Sequence, residues 1–251
     1  MIPEIIHYCW LSNDPVPQDL QRYMNTWISL FGYDFIKWDI EFFGENVPWV
    51  NEALENKMYA FACDYIRLYA VYKYGGIYMD MDMELHTDFK GLHDAQLMLA
   101  YEDTDRFKIE AGCFGAEPNN PIIGECLKHY EGRHFVKEDG TFDTTPLPDI
   151  MGEVIRKHPE VKVYTCDYFT AKSFRTGHIK TTENTRTIHH FAGSWLPEFD
   201  KEVAERTEKY AQKYGGSLPR YMAIGSYFKD KYGAVRAPGY MLKYALQKVR
   251  K

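Results

Sequence analysis

Cysteine is sparse and carries no pairing pattern: Cys9, Cys63, Cys113, Cys126 and Cys166 make an odd count with no C-x-x-C. That excludes a disulfide framework or a zinc knuckle as the organising element and suits a reducing cytoplasm. No run approaches the ~20 apolar residues of a membrane-spanning helix. The start, "MIPEIIHYCW", lacks the basic and long apolar regions of a secretory leader. Internal repeats, low-complexity tracts and a clear interdomain linker are also missing. The 251 residues are therefore expected to fold as one α/β domain with a smaller appendage. A nucleic-acid-binding profile is lacking too. The net charge is −6, but residues 201–251 hold 12 Lys/Arg against 4 Asp/Glu, a local +8 that leaves −14 for residues 1–200. Net positive charge is confined to one terminal segment and the body is acidic on balance. That segment suits the inner face of an anionic membrane, although a solvated helical face is the plainer reading.

What is present is an alternation of strands and helices. "IPEIIHYCW" reads as a buried first strand, and the Pro-containing "SNDPVPQ" as a loop. Leu20, Met24, Trp27, Ile28 and Phe31 recur at helical spacing up to Gly32, and "YDFIKWD" reads as a second strand. "NKMYAFACDYIRLYAVYKYGG" is the strongest helix, closed by Gly75 and Gly76. Later strands are expected at "LMLAYED", "CFGAE", "VKVYTC" and "TRTIHHFAGSW", and helices at "PIIGECLKHYEG" and "DIMGEVIRKH". Beyond residue 198 the pattern is helical, with breaks at "YGGSLP" and "YGAVRAPG". The β-α-β opening fits a Rossmann-like nucleotide-binding sheet.

Chemistry concentrates in "GGIYMDMDMELH", residues 75–86. Read as a strand, it places Tyr78, Asp80, Asp82 and Glu84 on one side and Ile77, Met79, Met81 and Met83 on the other. Carboxylates at i and i+2 of an extended chain both reach one divalent cation, and oxygen ligands favour Mg²⁺ or Mn²⁺ over zinc. Such cations keep open positions for phosphate oxygens. A solvated strand end is the usual meaning of D-x-D; here the pair follows a helix, a glycine turn and an apolar strand start, where α/β sheets place ligands. Glu84 is read as a supporting or surface residue.

Asp64 and Arg67 share a face of the preceding helix, as an internal ion pair, as sugar-binding groups, or as both. Downstream, His189 and His190 lie in "IHHFAGSW", and either imidazole would complete a cation site that has only two aspartates. Trp10 ends the first strand, in the core or stacked on a flat ligand.

"IPEIIHYCW", "FACDYIRLYAVYKYGGIYMDMD" and "TIHHFAGSW", in that order, resemble the D-x-D sugar-nucleotide transferases of glycosyltransferase family 32. That family includes bacterial capsule and lipopolysaccharide transferases and fungal initiating mannosyltransferases, and is related to clostridial toxin glucosyltransferase domains. The resemblance implies a GT-A fold over residues 1–197, with a basic helical segment, 198–251, packed on it or extending from it. It implies Mn²⁺ or Mg²⁺ as cofactor and hexosyl transfer with retention. Trp10 would stack on the base, Asp64, Arg67 and Tyr78 hold the donor sugar, and Asp80 and Asp82 form the D-x-D. His190 would be the third metal contact with His189 as alternate, and Ser194 and Trp195 would lie near the diphosphate. The implied donor is a UDP-hexose such as UDP-galactose or UDP-glucose, with GDP-mannose as the alternative. The implied acceptor is a saccharide of surface polysaccharide synthesis, lipid-linked in keeping with the basic segment. The chain departs from the family at "IEAGCFGAE", where relatives carry an amide-bearing stretch, which leaves acceptor-side residues, Glu110 among them, without a role.

Two other protein classes share these features. A haloacid-dehalogenase-type phosphatase also uses D-x-D after an apolar strand, but expects Thr or Val where Glu84 stands. A carbohydrate-binding module without turnover would keep the fold and the carboxylates.

Overall fold

The alternating apolar residues at the amino terminus form β1 (Ile5–Cys9), and the chain returns beside it through two short helical turns. The computed structural model describes residues 1–104, 107–174, 176–193, 198–211, 213–214 and 218–249. It divides into two compact units, Met1–Ala171 with Thr181–Ala192, and Lys172–Lys180 with Gly193–Lys251.

In the first unit β1 is followed by α1 (Gln18–Met24), a 3₁₀ turn (Asn25–Ser29), β2 (Asp34–Trp38), α2 (Ile40–Phe43), α3 (Pro48–Glu55) and α4 (Tyr59–Tyr74). Then come β3 (Gly76–Met79), β4 (Met83–Leu85), β5 (Leu97–Met98), β6 (Cys113–Ala116), α5 (Pro121–Lys128), α6 (Leu147–Lys157) and β7 (Thr187–His189). The main sheet runs β2-β1-β3-β6-β5, and β4 pairs with β7 in a separate two-stranded ladder. β1 is parallel to β2 and β3, whereas β6 is antiparallel to β3 and β5. This five-stranded mixed sheet flanked by helices is of the expected α/β class.

Two apolar clusters cover the sheet's faces. One gathers Trp38, Tyr78 and Phe114 with the buried sides of α3 to α6; the other gathers Ile6, Ile77, Met79, Met81 and Met83 with Phe89 and Phe169. The methionine side of the acidic segment thus stays together in one core. The ladder itself does not continue. The expected single strand stops at Met79, Asp80 and Asp82 lie in a turn closed by Met83 N–H to Asp80 O at 3.0 Å, and β4 restarts in the other sheet. The acidic pair sits at a bend between two sheets.

The chain departs from its sequence pattern at two more places. Ile28 and Phe31 do not face the core; they are 82% and 87% exposed, because the helix gives way to the 3₁₀ turn after Met24, which changes the angular spacing. "VKVYTC" makes only an isolated bridge, Tyr164 to Ala100, rather than a strand.

The turn that feeds β3 is tightly specified. Gly75 and Gly76 have φ of 66° and 99°, and a Cβ at Gly76 would lie 2.7 Å from the Ile5 carbonyl oxygen. Only glycine meets both demands. Buried His7 ties this turn to the sheet: its Nε2 donates to the Gly75 carbonyl at 2.8 Å, and Trp38 Nε1 donates to its Nδ1 at 3.1 Å. Both ring nitrogens are satisfied in the neutral form, and burial lowers the pKa to about 4 despite the Gly75 bond. The unfolded chain takes up this proton near pH 6.5, the native protein only near 4, so His7 favours the fold above pH 6.5 and loses that contribution as pH falls towards 4. Urea melts between pH 7.5 and 4.5 should show a fall of up to ~3 kcal/mol from this residue. His7→Gln should flatten the slope, and an unchanged slope would refute the assignment.

The second unit is helical. α7 (Glu198–Ala211) shares an apolar cluster with α8 (Leu218–Val249), built on Val203, Ala223, Ile224, Tyr227 and Phe228. Gly233, at φ 78°, interrupts α8 at the expected "YGAVRAPG" break.

Candidate active site

α4 is the element that delivers charge to the sheet edge. Its buried stripe of Phe61, Ala62, Cys63, Ile66, Leu68, Ala70 and Val71 includes one buried cation, Arg67. A guanidinium so placed requires partners. Its Nη1 donates to Asp80 Oδ2 at 3.0 Å and to the Ala111 carbonyl at 2.8 Å, and its Nη2 lies 3.4 Å from Asp64 Oδ1. The guanidinium also covers the Tyr78 ring at 4.8 Å, and Nε is buried with no partner. Arg67 therefore binds α4, the end of β3 and the approach to β6 together. Asp64 keeps one weak ionic contact, and burial raises its carboxyl to about 7 against the pull of Arg67.

Asp80 accepts the Tyr78 hydroxyl at 2.7 Å on its other oxygen, and its backbone N–H donates to the Gly112 carbonyl at 2.7 Å. Burial, aided by the Asp82 charge and opposed by Arg67, pushes the Asp80 pKa up. Burial would raise Asp82 as well, but His189 and the Ala192 N–H, 2.7 Å from Oδ2, hold it at about 2. Asp82 is thus an anion throughout the neutral range.

The ring that faces these carboxylates is His189. Its Nε2 stands 3.5 Å from Asp82 Oδ2, while Nδ1 is 3.0 Å from both oxygens of Glu110. Burial lowers the His189 pKa, but Glu110 and Asp82 together drive it well above its usual value. Ligand atoms of Asp80, Asp82 and His189 all lie within 4.8 Å of one another. Ligands of an octahedral cation are ~3 to 4 Å apart, so a small contraction suffices. Space is kept open by Gly112: a Cβ there would approach Glu110 Oε1 to 2.9 Å, His189 Cε1 to 3.0 Å and Asp80 Oδ2 to 3.1 Å. Two carboxylate oxygens and one imidazole make a donor set that could hold a divalent cation.

His190, expected as the third contact, points elsewhere. Its Nε2 is 2.7 Å from Glu84 Oε2, and its ring stacks on Tyr23 at 4.0 Å. The choice follows from strand register: His189 lies opposite Met83 in the β4–β7 ladder, and the next residue turns to the other side. Glu84 accordingly anchors His190 rather than approaching the aspartates. Tyr78 is brought to the cluster, buried, with its hydroxyl also 3.1 Å from Cys63 Sγ. Trp10 follows β1 as Asp80 follows β3, so both stand at the carboxyl edge of adjacent parallel strands; Trp10 is half-buried and its Nε1 donates to the Asp14 carbonyl at 2.8 Å. Ser194 and Trp195 lie outside the described residues. Glu110, Gly112, Thr170 and the Ala192 N–H were not assigned to the site by the sequence reading. An acid inside the apolar stretch "KIEAGCFGA" is the one hint that Glu110 is buried and paired.

Residues 14–99 match the family model described as "Glycosyltransferase sugar-binding region containing DXD motif". A glycosyltransferase of Acanthamoeba polyphaga mimivirus, L373, is 32% identical over 142 residues, 51% of this chain and 55% of that one. Inositol phosphoceramide mannosyltransferase 3 of Schizosaccharomyces pombe is 32% identical over 88 residues, 33% and 24% of the two chains. Mannosyl phosphorylinositol ceramide synthase SUR1 of Saccharomyces cerevisiae is 27% identical over 145 residues, 54% and 37%. The chain thus spans about half or less of these relatives' lengths. The solved PaToxG glycosyltransferase is similar in structure at a TM-score of 0.46 and 17% identity, over 62% of this chain and 69% of that one.

Proposed function

We propose, for a chain whose residues 14–99 carry the DXD-containing sugar-binding region of glycosyltransferases, that it transfers a hexosyl group from a nucleotide sugar to a saccharide or glycolipid acceptor with retention at the anomeric carbon. The observation that carries this reading is the convergence of Asp80, Asp82 and His189 at the carboxyl edge of the parallel strands, where α/β sheets bind ligands. A dication held there would offset the charge that develops on the departing diphosphate. The other roles fall to the chain itself. Arg67, set between Asp64 and Asp80, brings its positive charge to the donor's oxygens. Asp64 accepts from sugar hydroxyls or steadies positive charge on the ring. Tyr78 fixes the Asp80 carboxylate, and Trp10 stacks on the base.

Two relatives carry mannosyl transfer to a ceramide-linked inositol phosphate in their names. We therefore put GDP-mannose and a glycolipid headgroup first, ahead of the UDP-hexose and surface polysaccharide that the family resemblance alone favours. No helix among the described residues is long and apolar enough to cross a membrane, so we assign contact with an anionic lipid surface to the +8 segment, residues 201–251. The 1–197 and 198–251 division of labour belongs to the same proposal.

Thermal melts with GDP- and UDP-sugars, with and without Mn²⁺, test the reading. At a hundred times Kd a bound donor stabilises by ~3 kcal/mol, which raises the midpoint by roughly 5–10 °C. The rise is expected with GDP-mannose plus Mn²⁺ and not with Mn²⁺-free donor. A rise with UDP-hexoses alone would move the donor assignment; no rise with any sugar nucleotide would sink the transferase reading.

A further inference from the structure

We infer that Glu110 is a positioning residue for the cation: it clamps His189 through Nδ1 so that Nε2 is presented towards Asp82 and Asp80. The inference rests on the metal reading above and adds to it a residue that touches neither cation nor donor. Glu110 is 1% exposed, and its carboxylate is fully engaged within the protein. Both oxygens are 3.0 Å from His189 Nδ1, Thr170 Oγ1 donates to Oε2 at 2.8 Å, and the Gly112 N–H donates to Oε1 at 2.7 Å. A carboxylate so enclosed is costly to bury, and three donors compensate it. With its lone pairs committed inward, it does not reach substrate.

The clamp determines what the imidazole offers. An N–H at Nδ1 aimed at Glu110 leaves Nε2, 3.5 Å from Asp82 Oδ2, as the ring atom available for coordination. Phe191 stacks on the ring at 4.0 Å, and the His189 N–H donates to the Thr170 carbonyl at 2.9 Å, so ring plane and backbone are both held. Thr170 thereby supports both partners of the clamp. A carboxylate on the far nitrogen of a metal-bound histidine fixes its tautomer and raises its basicity, and loss of such a group typically weakens metal binding by ~10- to 100-fold.

Mn²⁺ titration of the full chain without donor, followed by calorimetry or by the manganese electron-spin signal, tests this. Glu110→Gln, with its melt recorded metal-free to establish folding, should weaken Mn²⁺ by ~10- to 100-fold. A folded Glu110→Gln that binds Mn²⁺ like wild type, while Asp82→Asn loses it, overturns the clamp and leaves the metal reading standing; failure of the wild type to bind overturns both. A second measurement needs no variant. In ¹⁵N spectra of the Mg²⁺-loaded protein the His189 ring should carry its proton on Nδ1 with Nε2 unprotonated, and the opposite tautomer overturns the inference.

Discussion

Asp82→Asn should reduce Mn²⁺-dependent release of nucleotide from the sugar donor by at least ~100-fold while leaving the metal-free melt within a few degrees of wild type. The size follows from the charge removed. Asp82 is held at about 2 by His189 and the Ala192 N–H, against the effect of burial, so the native site offers a full anion at neutral pH. Its amide counterpart offers a neutral oxygen, a poor ligand for a hard dication. A ~100-fold loss corresponds to ~3 kcal/mol of transition-state stabilisation, within what a Lewis acid on the leaving group supplies.

Asp82 is a cleaner probe than Asp80. An asparagine side-chain oxygen can still accept the Ala192 N–H that Asp82 Oδ2 now accepts at 2.7 Å, so the bend keeps its tie to the segment after β7. Asp80 instead balances the buried Arg67 and accepts from Tyr78, and its loss would confound chemistry with folding. Turnover by Asp82→Asn within threefold of wild type, measured at saturating Mn²⁺ with a coupled nucleotide assay, would remove the metal from the mechanism.

Local patterns made much of this architecture legible. β1, β2, α4 and β6 announce themselves through apolar runs bounded by glycine or proline, and the glycine pair marks the entry to β3 because its neighbours leave no room for a Cβ. The sidedness of Met79, Met81 and Met83 was legible too, since one core receives all three. What escaped depends on partners distant in sequence. The bend at Asp80–Asp82 arises because β4 pairs with β7, about a hundred residues later, and that register decides which histidine turns towards the carboxylates. Glu110 is buried only because Thr170 and His189 arrive 60 and 79 residues downstream. Ile28 and Phe31 fit a helical period that the backbone abandons one turn too soon. At the bend, at the histidine pair and at Glu110 the local rule was sound and a nonlocal contact overrode it; at Ile28 and Phe31 the local helix itself changed type.

Replacing Arg67 by methionine should cost the metal-free protein ~3 kcal/mol or more, a fall of roughly 6–12 °C in the melting midpoint. Methionine fills much of the same volume, so the loss reports charge and hydrogen bonds rather than a cavity. The variant leaves the Ala111 carbonyl without its 2.8 Å donor, Asp80 without its 3.0 Å ion pair and Asp64 without a counter-charge. Arg67→Lys should recover only part, because one ammonium cannot serve Asp80, Ala111 and Asp64 with the geometry of a planar fork. Mn²⁺ provides the discriminating comparison. A dication beside Asp80 supplies the missing positive charge, and removing a neighbouring cation lessens repulsion, so saturating Mn²⁺ should stabilise Arg67→Met by more than it stabilises wild type. Equal metal-induced shifts in the two proteins would mean that Arg67 and the metal do not share Asp80, and that the guanidinium is structural alone.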